Sequence, residues 1–249
     1  IYNIRWFDKG YLPRKFVEAI LDLYEKKTKL KDVDGSEIEY AISKNMINAA
    51  YGMTVTNPVR DEYVYIGGEG NPFDTVKPDL AQAMERYNAS KSRFLYYPWG
   101  VWVTAFSRRN LFTGIEAAGS DFVYSDTDSI KLLNYEAHRQ YFDDYNQNIY
   151  QKIAKAAEFH GIDVDRFSPQ NKKGSPKTIG IWDFEGVYDE FKTLGAKHYL
   201  VRVGDKYKLT LAGANKQRAM EYLDAAGDPF GEFDDSLVIP PEYSGRLTL

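Results

Sequence analysis

Two short apolar runs flank a polar tetrapeptide in Asp121-Phe122-Val123-Tyr124-Ser125-Asp126-Thr127-Asp128-Ser129-Ile130-Lys131-Leu132-Leu133. A connection this short cannot carry a crossover, so the runs must pair antiparallel as a hairpin. The spacing predicts strands over 121–125 and 130–133. Side chains alternate faces along a strand, so Asp126 and Asp128 are expected to point the same way. Two ionised carboxylates that close repel each other unless a cation lies between them. Ligation by oxygen alone favours Mg²⁺ or Mn²⁺. Asp and Ser are also common in turns, and an isolated Asp-x-Asp has that plainer reading.

The composition narrows the setting. Apolar residues make up 43% and charged residues 27% of 249 residues, an ordinary balance for a chain with a buried core. There is no cysteine, which excludes disulfides and thiolate metal sites and suits a reducing cytosol. No apolar run is long enough to cross a bilayer and no secretory signal opens the chain. Charge is uneven along the sequence. Residues 171–220 carry ten basic against five acidic residues, and 221–249 carry one against seven. Residues 1–30 carry seven basic against four acidic residues. A basic segment on an acidic chain marks either a polyanion groove or a solvated hairpin. Ile1 to Phe7 reads as strand with no Met, and Arg246 to Leu249 ends on strand-like residues. Both ends are expected to continue in a longer polypeptide.

Pro13 suits a first helical turn, and Phe16, Val17, Ile20, Leu23 and Tyr24 follow at helical spacing as far as Leu30. After the polar turn 31–35, Ser36-Glu37-Ile38-Glu39 reads as a capping box opening a second helix that ends near Gly52. The pair makes an antiparallel αα-hairpin. Residues 53–98 read as irregular apart from a short helix from Pro78 to about Lys91, with a turn at Asn57-Pro58 and a loop over 67–72. Helices are expected from Trp99 to Ala118, from Tyr135 to Phe159 and from Ala214 to Ala226. A basic loop is expected over 172–177, and strands near 178–187, 196–203 and 206–211. Helices and strands mix without regular βαβ alternation, which makes the chain α+β.

Two further constellations carry chemistry. Lys44, Asn48 and Tyr51, spaced by four and three, share one helix face. A cation, an amide and an aromatic ring together suit a nucleotide, although such a stripe is also an ordinary solvated face. Gly52 is expected to end that helix and permit close approach. In Lys197-His198-Tyr199, read as strand, Lys197 and Tyr199 are expected on one face and His198 on the other. That pair suits a sugar-phosphate backbone, and equally an amphipathic strand.

Lys44-Asn45-Met46-Ile47-Asn48-Ala49-Ala50-Tyr51-Gly52 resembles the K-x-x-x-N-S-x-Y-G motif of family B DNA polymerases, with Ala49 in place of the usual Ser. Tyr124-Ser125-Asp126-Thr127-Asp128-Ser129 matches the Y-x-D-T-D-S motif, and Lys197-His198-Tyr199 matches K-x-Y, in the family's order. With Asn57-Pro58 and the strand-hairpin-helix module 196–226, the likeness is to the protein-primed branch of phages and mobile elements.

The resemblance implies a polymerase-like palm sheet with an αα-hairpin fingers module and a small thumb. It assigns 1–12 to the strand leading from palm into fingers and 13–52 to fingers. Residues 53–98 become an insertion, 99–203 palm and 204–249 thumb. It implies that Asp128 ligates both metals and that Asp126 is the second acidic group of the motif. Lys44 neutralises the dNTP triphosphate, while Asn48 and Tyr51 shape the base and sugar pocket. Lys197 and Tyr199 steady the primer terminus, with Tyr124 supporting the primer-side floor. The implied reaction is two-metal transfer of a nucleotide to a primer 3′-hydroxyl, with Mg²⁺ or Mn²⁺. The implied partners are primer-template DNA and a terminal primer protein, in the cytoplasm of a bacterial host. Nothing in 1–12 supplies a D-x-x-S-L-Y-P-type motif and no set of exonuclease carboxylates is recognisable, so the resemblance implies the C-terminal portion of a longer polymerase, and weak or no synthesis by the chain alone is expected. Two other readings remain: a non-catalytic nucleic-acid-binding remnant, and a metal-dependent glycosyltransferase with an Asp-x-Asp. The latter leaves the Lys44 and Lys197 constellations as coincidences.

Overall fold

A computed structural model describes residues 4, 6, 10–67, 73–91 and 94–244. The expected strand over Ile1–Phe7, most of the loop over 67–72 and the last five residues lie largely outside these. The chain divides into two compact units. One comprises residues 1–121 and 134–182, the other 122–133 and 183–249.

The first unit opens with the αα-hairpin, α1 (Arg14–Leu30) and α2 (Glu37–Thr54). Pro13 caps α1 rather than filling its first turn. The face that α1 buries centres on Val17, Leu21 and Thr28; of the expected stripe Val17 lies on this face, while Phe16, Ile20 and Leu23 flank it. The connection reverses through Asp32 and Gly35, both at positive φ. The expected capping box does not form: Ser36 makes no side-chain cap, and Glu37 Oε1 instead accepts the Gly35 N–H at 3.2 Å. Gly52 lies inside α2, which continues two residues further.

Residues 53–98 hold more than the expected irregular stretch. β1 (Glu62–Tyr65) and β2 (Phe73–Val76) pair antiparallel, and α3 (Leu80–Ala89) follows, capped by Asp79. The sequence hid this hairpin because its exposed strands have no buried face to impose alternation. α4 (Tyr97–Ala118) ends at Gly119, whose φ of +53° breaks the helix. At its start Gly100 is buried against the end of α2, where a Cβ would lie 1.9 Å from Val55 Cγ1.

The hairpin β3 (Phe122–Asp126) and β4 (Ser129–Leu132) belongs to the second unit. α5 (Tyr135–His160) returns to the first and stops at Gly161 (φ +60°). There the Ile162 N–H reaches back to Ala157 O at 2.9 Å in a Schellman closure. Ile162 then joins Leu21, Ile153, Ala157 and Phe167 in the core of this unit.

The strand expected over 178–187 is not formed. Ile179 packs on the core and its N–H bonds Phe167 O at 3.0 Å. The Asn146 side chain takes both the N–H and C=O of Trp182, each at 2.8 Å. A side chain thus satisfies the backbone groups that a ladder would have used.

The second unit completes itself with β5 (Glu190–Gly195), β6 (His198–Val203) and β7 (Lys206–Leu211), an antiparallel sheet in that order. α6 (Lys216–Ala225) and the short α7 (Pro229–Glu232) and α8 (Pro241–Ser244) follow. One face of the sheet contributes Leu200 and Leu209 to a core with Ala219, Leu223 and Phe233. Residues of opposite parity, Phe191, Tyr199 and Val201, point the other way. Helices and antiparallel pairs, with no βαβ unit among the described residues, agree with the α+β expectation. Among the described residues no helix is long and apolar enough to cross a membrane.

Candidate functional site

In the β3–β4 hairpin Asp126 pairs with Ser129, so Thr127 and Asp128 form the turn itself. Thr127 sits at φ +56° and the Asp128 N–H returns to Asp126 O at 2.6 Å. The expectation that both aspartates share a strand face therefore fails: Asp126 ends a strand and Asp128 lies beyond it, where alternation does not apply. Thr127 Oγ1 donates to Asp126 Oδ1 at 2.9 Å, and Ser129 Oγ to Asp126 O at 3.2 Å.

The cation facing Asp126 is a lysine. Lys197 Nζ lies 2.7 Å from Asp126 Oδ1 and 2.8 Å from Oδ2. The hydrogen bond from Lys197, then the one from Thr127, hold the Asp126 carboxyl below its usual range. In return Asp126 raises the Lys197 ammonium above its own. Asp128 is exposed and its carboxylate has no partner among the described residues. As they stand, the two aspartates do not fit a shared divalent cation, because both oxygens of Asp126 are engaged by an ammonium. Among the described residues no group of three or more His, Cys, Asp or Glu is placed to hold a metal. Asp128 remains the one free oxygen donor of the pair.

Lys197 also departs from the sequence reading. It is not in a strand but at φ +60° in the turn joining β5 to β6. It therefore does not share a strand face with Tyr199 by alternation. Its N–H donates to Tyr124 Oη at 2.8 Å, and its C=O accepts from the Ala212 N–H at 3.1 Å. The Tyr124 ring, 9% exposed, packs at 5.2 Å from Tyr199 and 5.7 Å from Phe191. Phe191 stacks on Tyr199 at 5.4 Å. Tyr124, Asp126, Lys197 and Tyr199 thus converge in one unit from segments more than seventy residues apart. Lys131 extends the cluster, 5.8 Å over the Tyr188 ring.

Phe191 was missed by the sequence reading. Its signal was the alternation Phe191-Lys192-Thr193-Leu194 before Gly195, which the expected strand over 178–187 displaced.

Lys44, Asn48 and Tyr51 belong to the first unit, on one exposed face of α2. Their side chains bond no described residue and are open to a ligand. The buried face of that helix lies elsewhere, at Ser43 and Thr54.

The chain is similar to DNA polymerases of Bacillus phages. It is 27% identical to the DNA polymerase of Bacillus phage Nf over 202 residues, and 24% identical to that of phage phi29 over 201. A third such enzyme, from phage B103, is 25% identical over 201 residues. Each match covers 80% of this chain and 28% of the relative, so the chain spans little more than a quarter of the length of these enzymes. No family model and no solved structure matches.

Proposed function

We propose that this chain serves template-directed DNA synthesis, binding the primer strand through Lys197 and Tyr199 and the incoming dNTP through Lys44, Asn48 and Tyr51. The observation that supports it best is the convergence of Tyr124, Asp126, Lys197 and Tyr199, which two separate sequence motifs supply. The likeness to phage DNA polymerases supports the same reading. In it, residues 13–52 act as fingers, 53–98 as an insertion, 99–203 as palm and 204–249 as thumb, with a terminal primer protein as a further partner. The residues act by position and charge. Lys44 meets the triphosphate, Asn48 and Tyr51 border base and sugar, and the Tyr199 ring supports the primer end. Lys197 supplies positive charge beside the primer backbone while anchored on Asp126. Mg²⁺ or Mn²⁺ enters this reading only as a ligand of Asp128, the carboxylate left free.

The test is titration of a fluorescent primer-template duplex with the full chain across a salt series. Lys197→Ala is expected to weaken binding and to reduce the slope of log K against log salt by about one. A slope identical to the parent's removes Lys197 from the primer strand.

A second reading, a nucleic-acid-binding module without catalysis, is favoured by the engagement of both Asp126 carboxylate oxygens by Lys197. It shares the DNA contacts and differs in predicting no nucleotide addition under any condition.

A further inference from the structure

We infer that Phe191, together with the Tyr124 hydroxyl, is a positioning residue that sets Lys197 and Tyr199 for the primer strand. This inference rests on the primer-strand reading of those two residues.

Lys197 occupies a left-handed conformation that residues other than glycine rarely adopt. Such a conformation persists only where the surroundings over-determine it. Here three bonds do so. Tyr124 Oη takes the Lys197 N–H, the Ala212 N–H takes its C=O, and Asp126 takes its ammonium. Of these, the Tyr124 bond is the one whose geometry a neighbouring side chain controls. The Tyr124 ring is held from one side by Tyr199 and from another by Phe191, and these two rings stack on each other with 26° between their planes.

Phe191 closes this triangle. It projects from β5 diagonally across from Tyr199, since Thr193 pairs with Tyr199 and Phe191 with Val201. Tyr188 backs it at 6.4 Å. Truncating Phe191 opens space into which the Tyr124 ring can tilt, drawing its hydroxyl off the Lys197 N–H. It also removes the stacking partner that fixes the plane of Tyr199. Phe191 thus acts on the ligand through two other residues.

The test has two arms on the full chain, with Tyr124→Phe and Phe191→Leu compared with the parent. The first arm needs no DNA: acylation of lysine amines, read by mass spectrometry. Lys197 is shielded by Asp126 in the parent. Both variants should raise its labelling about threefold or more, with Lys216 as internal control, the scale set by one lost hydrogen bond. The second arm is primer-template affinity. Each variant should weaken binding about twofold to tenfold; placed on Lys197→Ala, Tyr124→Phe should weaken it by less than about twofold, since it acts through that residue, and Phe191→Leu by less than it does on the parent, keeping only its part through Tyr199. Phe191→Tyr, which keeps the ring, should restore parent behaviour. Unchanged Lys197 labelling in both variants overturns the positioning role. Raised labelling with parent-like affinity in Lys197→Ala overturns the primer-strand reading instead, and with it the use proposed for this cluster. Full additivity on the Lys197→Ala background assigns Phe191 to packing alone and also overturns the inference. Tyr124→Phe removes a single oxygen from a buried ring, so it keeps the test decisive should Phe191→Leu fold poorly.

Discussion

Lys197 and Asp126 are neighbours only because of the fold, and neither carries a local mark of the other. The same holds for Asp121, whose carboxylate meets His138 Nε2 at 2.8 Å and Asn134 Nδ2 at 3.1 Å. The hydrogen bond from His138, ahead of that from Asn134, holds the Asp121 carboxyl below its ordinary range. A depressed folded-state value means that the stabilisation is present above the unfolded value near 3.9 and is lost as pH falls through the folded one. Asp121→Asn should therefore lose less stability than the parent between pH 6 and pH 3, measured as the shift in urea midpoint. An equal acid shift in both proteins would remove Asp121 from the acid response. At this scale the sequence was readable where spacing sufficed, as in Lys44, Asn48 and Tyr51 on one helical face. It was unreadable at Lys197, because a positive φ at a residue other than glycine leaves no trace in composition.

Helices were the legible elements, and their limits follow from local chemistry. Gly161 ends α5 in a left-handed turn, and Gly119 ends α4 at a positive φ that suits glycine. Strands were less legible. A short alternating run declares its period but not its partner, so 190–195 and 178–187 competed on similar signals. Only the β6 pairing and the Asn146 clamp on Trp182 separate them. The contact of α2 with α4 leaves little room. Gly100 is placed there not for its φ but for its missing Cβ, which would stand 1.9 Å from Val55 Cγ1 and 2.8 Å from Thr54 Oγ1. Gly100→Ala should destabilise the first unit by about 1–3 kcal/mol through overpacking, outweighing the gain in helix propensity. Chemical denaturation followed by circular dichroism measures this, and an unchanged or raised midpoint would show that α4 can shift away at no cost.

At the scale of the molecule, each unit holds its own core and its own share of the candidate residues. The α2 stripe lies in one and the Asp126–Lys197 cluster in the other. Because Lys197 engages both oxygens of Asp126 and the Asp128 carboxylate has no partner among the described residues, the chain is expected to extend no primer when supplied with Mg²⁺ and dNTPs. Robust incorporation in a gel-based extension assay would show that Lys197 releases Asp126 when substrate is bound. The division into two units was not visible in the sequence, since no linker or shift in composition marks the points where the chain passes from one to the other.

That division gives the chain an order of assembly. Residues 122–133 leave the ribosome before the forty-nine residues 134–182, and their sheet partners come only after these. Until then Tyr124 has no ring to lean on and Asp126 no ammonium to hold, and a lone two-stranded hairpin is only marginally stable in water. Until β5 and β6 arrive the hairpin has little to stabilise it, and contacts across so long a loop are of the kind that form slowly. Lys197 takes up its left-handed conformation as part of that closure, so the cluster doubles as a record that the second unit has finished folding.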